Sequence, residues 1–317
     1  MEIKENTGVV LSTQKGFKAF CLRFKRQLAL QSMVIPWLIV IFIFSYLPMT
    51  GIILAFKDFD FRFGIFGSEW VGFRHFESLF SDADFFIAVR NTLAINFLKL
   101  LFSFPIPIIF TIMLNEMRLK SIVKGAQSLA YLPHFISWVI VAGIFTDMFA
   151  VDGYINDILV AFGLEERIKF LTQDWFFWPL MVITGSWKEA GWNSIIYIAA
   201  LGNINPELYE AASVDGAGRW AKIRHITLPC LVPTIKISLL FTFAGMFTAG
   251  FDQIYLMQND LNLKTSEVLD TYIYKYGMRK GLYSYSIAAG LVQGVVNFIV
   301  LISANFACKK MTGQGMY

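Results

Sequence analysis

The sequence contains little charge and few cysteines. Of its 317 residues, 16% are charged and 56% are hydrophobic, whereas globular proteins average about 25% charged residues. A soluble enzyme, a disordered chain or a nucleic-acid-binding domain could not keep so much apolar surface out of water, and a net charge of +4 is too small to indicate a polyanionic partner. Three cysteines provide no disulfide framework. The composition therefore predicts a membrane protein that does not bind nucleic acid.

Catalytic and cofactor motifs are also missing. The three histidines are scattered, no H-E-x-x-H or G-x-S-x-G motif occurs, and the cysteines lack metal-ligand spacing. There is no G-x-x-x-x-G-K-[ST] phosphate loop, and Gly216-Ala217-Gly218 lacks the preceding strand and the third glycine of a dinucleotide site. We therefore expect no catalytic residue, no metal and no cofactor in this chain. A membrane-embedded enzyme is an alternative, but the sequence contains no recognisable catalytic motif that would support it.

Six segments are long and apolar enough to cross a hydrocarbon core about 30 Å thick. Three of them are free of Asp, Glu, Lys and Arg: 27–56, 125–146 and 281–308. Three contain a local charged interruption: 91–115, 175–201 and 231–257. Backbone groups cannot stay unpaired in lipid, and no period-2 alternation is present. The sequence therefore predicts an all-α, polytopic membrane protein with six transmembrane helices.

The basic residues of the connections predict the orientation of these spans. The two termini with the second and fourth connections carry 14 Lys and Arg residues, and the first, third and fifth connections carry 10. The excess places both termini in the cytoplasm, although the fifth connection argues against it. Phe17, Phe20, Phe24 and Leu28 recur at helical spacing among basic residues, which predicts an interfacial amphipathic helix. A basic tail that only sets the topology is the alternative.

The cytoplasmic connection after the fourth span has the features of two short helices. Asn205 is a good N-cap, Pro206 suits the first helical position, and Glu207 lies where the helix dipole favours an anion. Gly216 and Gly218 allow a left-handed stop and a sharp turn. A second short helix is expected over 219–226, ended by Pro229.

This connection resembles that of the permease subunits of bacterial ABC importers. The signature of that family is Glu-Ala-Ala, three residues, Gly, nine residues, Ile, one residue, Leu-Pro. The chain keeps every spacing in Glu210-Ala211-Ala212, Gly216, Ile226 and Leu228-Pro229. Further stretches resemble the carbohydrate branch, in particular its polysaccharide and oligosaccharide permeases, the group that includes permeases of alginate-oligosaccharide importers. They are Trp70-Val71-Gly72-Phe73, Asn91-Thr92-Leu93, Pro133-His134-Phe135-Ile136-Ser137-Trp138, Trp187-Lys188 with Gly191-Trp192, and Tyr272-Ile273-Tyr274.

The resemblance implies a type-1 importer permease fold and a mechanism. It implies four regions: a cytoplasmic tail 1–26, a first span and extracytoplasmic loop 27–88, a core permease domain 89–307 with a coupling-helix loop 203–230, and a cytoplasmic C-terminus 308–317. The coupling residues would be Glu210, Ala211, Ala212, Asp215, Gly216, Gly218 and Arg219. The alternative to a coupling role is an ordinary helix-turn-helix connection that binds no partner.

The resemblance also implies partners and a location. They are two cytoplasmic ATP-binding subunits that bind the ATP and Mg, a homologous second permease subunit, an extracytoplasmic sugar-binding protein, membrane lipid and an oligosaccharide, for which a uronate is the guess. The location would be the bacterial cytoplasmic (inner) membrane. An ion-coupled secondary transporter of sugars, using Asp147, Glu189 and Asp252, is the alternative; such carriers usually show repeated hydropathy between their halves, and no convincing repeat is present.

Polar residues inside the spans are unfavourable in free energy, so their presence needs an explanation. We expect seven residues to line an aqueous pathway: Lys188, Glu189, Asn193, Tyr197, Phe251, Asp252 and Gln253. Lys188 and Glu189 could instead neutralise each other or fill a polar seam between subunits. Lys99 is expected to pair with Asp147, Asp252 or the partner subunit, and Lys236 to reach the headgroups. Prolines in the second span are expected to kink it, and Gly245, Gly250, Gly290 and Gly294 to allow close helix packing.

Overall fold

A computed structural model of the chain describes residues 28–117 and 119–312. The predicted amphipathic helix in the tail 1–26 lies outside these residues. The chain divides between Ile53 and Leu54 into two compact units. The first unit contains helix α1 (Leu28–Ile41), a π-helical turn (Phe42–Tyr46) and most of a 3-10 segment (Leu47–Phe56) that continues into the second unit.

The second unit is helical apart from one small antiparallel ladder, in which Lys57 pairs with Trp70 and Asp58 with Glu69. Its elements in chain order are β1 (Lys57–Asp58), α2 (Gly64–Gly67), β2 (Glu69–Trp70), α3 (Arg74–Ser81), α4 (Ala83–Leu98), α5 (Pro105–Glu116), α6 (Lys120–Tyr131), α7 (Trp138–Met148), α8 (Tyr154–Ala161), α9 (Asp174–Gly202), α10 (Pro206–Val214), α11 (Arg219–Lys222), α12 (Leu228–Ala244), α13 (Phe251–Met257), α14 (Leu263–Ser266), α15 (Leu269–Tyr274) and α16 (Tyr283–Thr312). Short π or 3-10 segments join several of them.

Four helical stretches among the described residues are long and apolar enough to cross a membrane: Gln31–Phe56, Ala83–Glu116, Arg219–Ala244 and Tyr283–Phe306. A fifth is formed by the bent pair Lys120–Phe135 and Trp138–Met148 if the pair is counted as one span. The remaining predicted span corresponds to α9, a 29-residue helix whose middle carries Lys188 and Glu189. The polytopic all-α architecture is thus confirmed, with a count close to the predicted six.

The third predicted span is not one helix. The chain bends by 98° between Phe135 and Trp138, where a continuous helix over 125–146 was expected. Ser137 adopts an extended conformation and its side chain accepts a hydrogen bond from Ile140 N (3.4 Å), so it caps a new helix. Pro133 lies in the 3-10 segment before the bend. The hydrophobic run 125–146 therefore contains the end of one helix and the start of the next, and its hydropathy does not indicate either.

The fifth predicted span was placed too late in the sequence. The helical stretch begins at Arg219 and passes through a π-helical turn (Ile223–Thr227) into α12, so Pro229 does not end a short helix but sits in the first turn of α12. The stretch ends at Ala244. Gly245 caps it, and Gly250 has φ +93°, a conformation that favours glycine. These two glycines break the helix here, where helix packing had been expected.

The prolines of the second span are accommodated by a wider helical turn. Pro105 has no N–H, and the chain forms a π-helical turn over Lys99–Ser103 in which Phe104 N donates to Lys99 O at 3.0 Å. The second span remains one helical stretch, Ala83–Glu116.

Two buried clusters hold the second unit together. One gathers apolar residues of α4, α7, α9, α13 and their connections around Ile95, Val141, Met181 and Ile254. The other lies where α3, α4, α15 and α16 meet. Both clusters pack connecting segments against the helices.

Asp82 ties three of these elements together at the start of the second span. Its carboxylate accepts hydrogen bonds from the hydroxyls of Tyr272 (2.6 Å), Tyr276 (3.1 Å) and Tyr285 (3.2 Å). Burial opposes ionisation of Asp82, but the hydrogen bonds from Tyr272, the Asp84 N–H and the other two tyrosines outweigh it and lower its pKa. Burial and the nearby carboxylate raise the pKa of Tyr276 to about 12. The cluster is therefore an ionised carboxylate held by neutral phenols.

Candidate functional site

The connection after the fourth span forms the short helix that its sequence predicts. Helix α10 starts after Asn205, whose side chain accepts from Glu207 N at 3.1 Å and donates to the Glu207 carboxylate at 3.0 Å. Pro206 occupies the first turn, where a missing N–H costs nothing. The helix ends at Val214, two residues before Gly216.

The turn after α10 depends on one glycine. Gly216 has φ +75°, and Ala217 N donates to Ala212 O at 2.8 Å while Gly216 N donates to Ser213 O at 3.1 Å. This is a Schellman-type helix end. Gly218 is extended (φ −70°, ψ 171°) and caps α11, so its role does not require a glycine conformation. The left-handed stop is confirmed at Gly216 alone.

The loop is exposed yet tied to two membrane helices. Tyr209 Oη lies 2.9 Å from Thr227 Oγ1, a buried group in the π-helical turn that leads into the fifth span. Lys222 Nζ donates to Ser213 Oγ at 2.6 Å. Arg219 Nε lies 3.7 Å from the carboxylate of Glu116, the last residue of the second span. Movement of the loop would therefore pull on the second and fifth spans.

The predicted coupling residues lie on this loop, and two large side chains accompany them. Glu210, Ala211, Asp215, Gly216, Gly218 and Arg219 are exposed, and Ala212 is half-buried. Val214 is 88% exposed and Trp220 is 83% exposed. Sequence reasoning missed these two residues, although an apolar side chain on each flank of the Gly216 turn was the available signal.

Lys188, which is predicted for the pathway, binds the bend of the third span. Its side chain is 6% exposed, and Nζ donates to three carbonyl oxygens at the end of the 3-10 segment: Pro133 O (3.3 Å), His134 O (2.5 Å) and Ile136 O (2.8 Å). A cation is favourable at the C-terminal end of a helix, where carbonyls lack partners. The Glu189 carboxylate is 3.8 Å from Nζ, so the two charges also form an ion pair, as the alternative of mutual neutralisation expected.

Glu189 and its neighbours complete the bracing of this bend. Glu189 Oε2 lies 2.8 Å from His134 Nδ1, and the His134 ring stacks on Trp192 with a centroid distance of 4.3 Å. Gly191 lets the backbone approach closely, since a Cβ there would lie 1.9 Å from Ala130 O. Lys188 and Trp192 of α9 therefore contact the Pro133–Trp138 stretch, while Gly191 lies against Ala130 and Trp187 packs on Phe145.

Asn193 and Tyr197 line a cavity of about 770 Å³ between the second, fourth and fifth spans. Its wall also includes Trp192, the Lys99 side chain and Phe241. Asn193 is exposed and the rest of the wall is largely apolar. The indole of Trp192 (41% exposed) and the carboxamide of Asn193 offer a flat face and hydrogen-bonding groups to a ligand such as a sugar, whereas Tyr197 is only 3% exposed.

Gln253 lies outside this cavity, in a buried hydrogen-bond cluster. Its amide nitrogen donates to Met181 O and Thr184 Oγ1, both at 2.8 Å, and its amide oxygen accepts from Lys99 Nζ at 2.8 Å. Lys99 was expected to pair with a carboxylate or with a partner subunit. It binds Gln253 and Ala249 O (3.0 Å) instead.

Phe251 and Asp252 begin α13, beyond the break in the fifth span. Phe251 stacks on Tyr255 with a centroid distance of 4.9 Å and contacts Tyr274. Asp252 is exposed. The seven predicted pathway residues are thus distributed over the third-span bend, the cavity, the buried cluster and the start of α13.

The six-residue break Gly245–Gly250 has many of its backbone groups paired by side chains from other elements. Asn96 donates to Met246 O (2.8 Å), Asn297 accepts from Phe247 N (2.9 Å) and Asp270 accepts from Ala249 N (2.9 Å). Gln293 donates to Phe247 O at 2.6 Å. Non-helical backbone at membrane depth is tolerated where the protein provides such partners.

Among residues 28–117 and 119–312, no group of three His, Cys, Asp or Glu side chains is arranged to hold a metal ion. Many of the polar groups described above bind one another or the backbone, whereas Asn193, Asp252 and Glu210 are exposed. The arrangement provides exposed surfaces and a cavity for binding.

These features define a class of protein: a multi-pass helical membrane protein with an open cavity between its spans and an exposed helical loop. The family model of the binding-protein-dependent transport system inner membrane component matches residues 96–313, and the chain belongs to this family. It is therefore a multi-pass inner-membrane protein, and the family resemblance carried by the Glu210–Pro229 signature is confirmed.

Known proteins are similar in sequence to this chain over nearly its whole length. The polygalacturonan/rhamnogalacturonan transport system permease protein YteP of Bacillus subtilis (strain 168) is 41% identical over 311 residues, which cover 98% of this chain and 96% of that protein. A chain in the crystal structure of a bacterial ABC transporter involved in the import of the acidic polysaccharide alginate is 40% identical, with a TM-score of 0.86, and the match covers 93% of this chain and 99% of that one.

A second structure of the same kind was solved with a partner. It is a bacterial alginate ABC transporter in complex with an alginate pentasaccharide-bound periplasmic protein, and its matching chain is 40% identical with a TM-score of 0.85, over 93% of this chain and 98% of that one. The type-1 ABC importer permease fold is thereby confirmed.

Proposed function

We propose that this chain is the permease subunit of an ATP-driven, binding-protein-dependent importer of oligosaccharides. The observation that carries the proposal is the exposed helix-turn loop Pro206–Gly218 in a chain of this permease family. The chain itself has no phosphate loop, so ATP and Mg are bound and used by separate subunits. The chain supplies half of the translocation pathway and the surface on which an ATPase acts.

The complex contains two cytoplasmic ATP-binding subunits, a second permease subunit and an extracytoplasmic sugar-binding protein. The alginate transporter solved with its periplasmic protein supports the last of these. Both termini and the α10 loop face the cytoplasm, in agreement with the excess of basic residues on that side.

The substrate class follows from the relatives and the cavity. YteP is named for polygalacturonan and rhamnogalacturonan, and the structural relatives for alginate, all of them acidic saccharides. The cavity of about 770 Å³ carries Trp192, Asn193 and Tyr197 on one wall. Together they support an acidic oligosaccharide as the cargo.

Coupling follows from the contacts of the loop. An ATPase groove that closes on α10 moves Glu210 and the Gly216 turn, and the loop transmits this displacement through two contacts. Tyr209 moves Thr227 at the base of the fifth span, and Arg219 moves Glu116 at the end of the second. Both spans contribute to the wall of the cavity, so nucleotide-driven closure changes its shape.

Reconstitution of the complete complex tests the proposal. We expect proteoliposomes containing this chain, its co-purified partners and a sugar-loaded binding protein to accumulate labelled oligogalacturonate only when ATP and Mg reach the ATPase side. A non-hydrolysable ATP analogue should support no accumulation. Uptake driven by a proton gradient without nucleotide would overturn the proposal in favour of an ion-coupled carrier.

A further inference from the structure

The segment between the first and second spans is fastened to three helix ends. Phe56, the last residue of the first candidate span, accepts hydrogen bonds through its carbonyl from Val71 N (2.9 Å) and Gly72 N (3.1 Å). Phe59 N donates to Ser284 Oγ at 3.1 Å, next to the start of the sixth span at Tyr283. The second span begins at Ala83, directly after the segment. Because all three span ends lie at one face of the membrane, the segment lies at that bilayer surface.

Five aromatic side chains of this segment point away from the protein, and we call them the aromatic foot. They are Phe61 (74% exposed), Phe63 (63%), Phe66 (85%), Trp70 (60%) and Phe73 (67%). Phe56 anchors two of them, since its ring stacks on Trp70 at 5.9 Å and meets Phe73 edge-on at 5.4 Å. An exposed group of large aromatic rings is unfavourable in water and is typical of the level where headgroups meet acyl chains.

The backbone beneath the aromatic foot has internal hydrogen-bond partners. Lys57 is 8% exposed, and its Nζ donates to Ile65 O (3.0 Å) and Phe66 O (2.7 Å). Ser68 Oγ donates to Gly64 O at 2.6 Å, and Asp60 N donates to Ser68 Oγ at 3.1 Å. These bonds satisfy backbone carbonyls without water, as a segment that leaves water requires.

One pair of charges next to the aromatic foot is matched. The Arg62 guanidinium binds the Asp60 carboxylate through Nε (3.0 Å) and Nη2 (2.5 Å), and its Cζ lies 5.7 Å from the centre of the Phe63 ring. Hydrogen bonding to Arg62 lowers the pKa of Asp60, so the pair persists as an ion pair. Glu69 and Arg74, which adjoin Trp70 and Phe73 in the sequence, are exposed charges and are compatible with the level of the headgroups rather than with a deeper position.

We propose that the aromatic foot inserts into the outer leaflet of the membrane, at the boundary between headgroups and acyl chains. The occupant of this surface is lipid, because the foot continues directly from three membrane-spanning helix ends. The foot holds the extracytoplasmic ends of the first, second and sixth spans at a fixed depth. The inference depends on the membrane location of the chain and not on its cargo.

Site-directed spin labelling of the complete complex in lipid vesicles tests this directly. In a chain whose three cysteines are replaced by serine, Phe63→Cys and Phe66→Cys would carry nitroxides. Glu165→Cys and Asp260→Cys, at exposed acidic positions of the third and fifth connections, are the matched controls. Accessibility to oxygen, which dissolves in lipid, is compared with accessibility to a water-soluble nickel complex.

We expect oxygen accessibility to exceed nickel accessibility several-fold at 63 and 66, and the reverse at 165 and 260. Greater nickel accessibility at 63 and 66 would show that the foot lies in water and would overturn the proposal. Low accessibility to both reagents would also overturn it, since a second permease subunit or the binding protein would then cover the foot. Phe61→Cys is an additional position if a label at 63 or 66 prevents assembly.

Discussion

At the scale of single residues, two residues of the fourth span are suited to contact with the bent third span. Lys188 satisfies carbonyls at the bend, and Gly191 leaves room for the backbone at Ala130. A lysine in the middle of a span is costly unless it has polar partners, and here the unpaired carbonyls of a broken helix provide them. The sequence identified Lys188 as unusual, but the partners could not be predicted because the bend itself was not.

Gly191→Ala should destabilise the protein. The added Cβ would lie 1.9 Å from Ala130 O, so α6 and α9 must separate, at a cost of about 1–3 kcal/mol or more for an overpacked site. We expect a lower melting temperature in detergent and reduced transport. Gly125→Ala, where a Cβ meets nothing within 4 Å, is the control and should melt like the native protein. Equal melting of the two variants would contradict the close approach.

At the scale of elements, hydropathy predicted which stretches enter the membrane but not where their helices break. A run of apolar residues over 125–146 or 231–257 has the same hydropathy whether its helix is continuous or bent. The breaks depend on Ser137 and Gly250, small residues whose role is a backbone conformation rather than a transfer free energy. Pro133 in the third span and the two glycines Gly245 and Gly250 in the fifth were the sequence signals of these breaks.

The same limitation applies to the pathway. Asn193 and Tyr197, two of the seven residues predicted for the pathway, line one cavity, as residues four apart on one helix can. Gln253 was grouped with them because the fifth span was taken to be continuous to 257. In the structure it lies beyond the break and binds Lys99, a long-range contact that periodicity cannot reveal.

Lys99→Met should loosen the break in the fifth span. The change leaves Ala249 O and Gln253 Oε1 without their donor, and an unpaired buried acceptor costs about 1–3 kcal/mol. We expect faster hydrogen exchange at the amides of 245–253 and a lower melting temperature. Lys236→Met is the matched control, because Lys236 lies on the fifth span, before the break, and makes no hydrogen bond or ion pair with the part of the chain that the structure describes. Unchanged exchange in Lys99→Met would refute this role.

At the scale of the whole molecule, a small exposed loop is connected to two spans by single contacts. The loop could be predicted from sequence almost residue by residue because it is governed by local rules: an Asn cap, a proline in the first turn and a glycine with positive φ. Its contacts with Thr227 and Glu116 could not, since they join residues far apart along the chain or on different spans.

Glu210→Ala should disconnect ATP hydrolysis from transport while the chain still inserts. Glu210 is exposed and makes no hydrogen bond with any residue of 28–117 or 119–312, so its carboxylate is available to a basic group on the ATPase. Loss of one charge-assisted hydrogen bond, about 1.5–3 kcal/mol, weakens docking roughly tenfold or more. Gly216→Pro should have a larger effect, because proline cannot adopt the φ of +75° that ends α10.

The measurement compares ATPase activity and sugar uptake in the reconstituted complex, with membrane content of the chain as the check on insertion. We expect uptake to fall at least about tenfold in Glu210→Ala at unchanged membrane content, in line with that loss of docking affinity. Glu165→Ala removes an equally exposed carboxylate from the third connection, on the opposite side of the membrane, and should leave both activities unaltered. If both loop variants took up sugar at the native rate, the ATPase would have to act on another surface of the permease. The contacts of Tyr209 and Arg219 would then serve only to stabilise the structure.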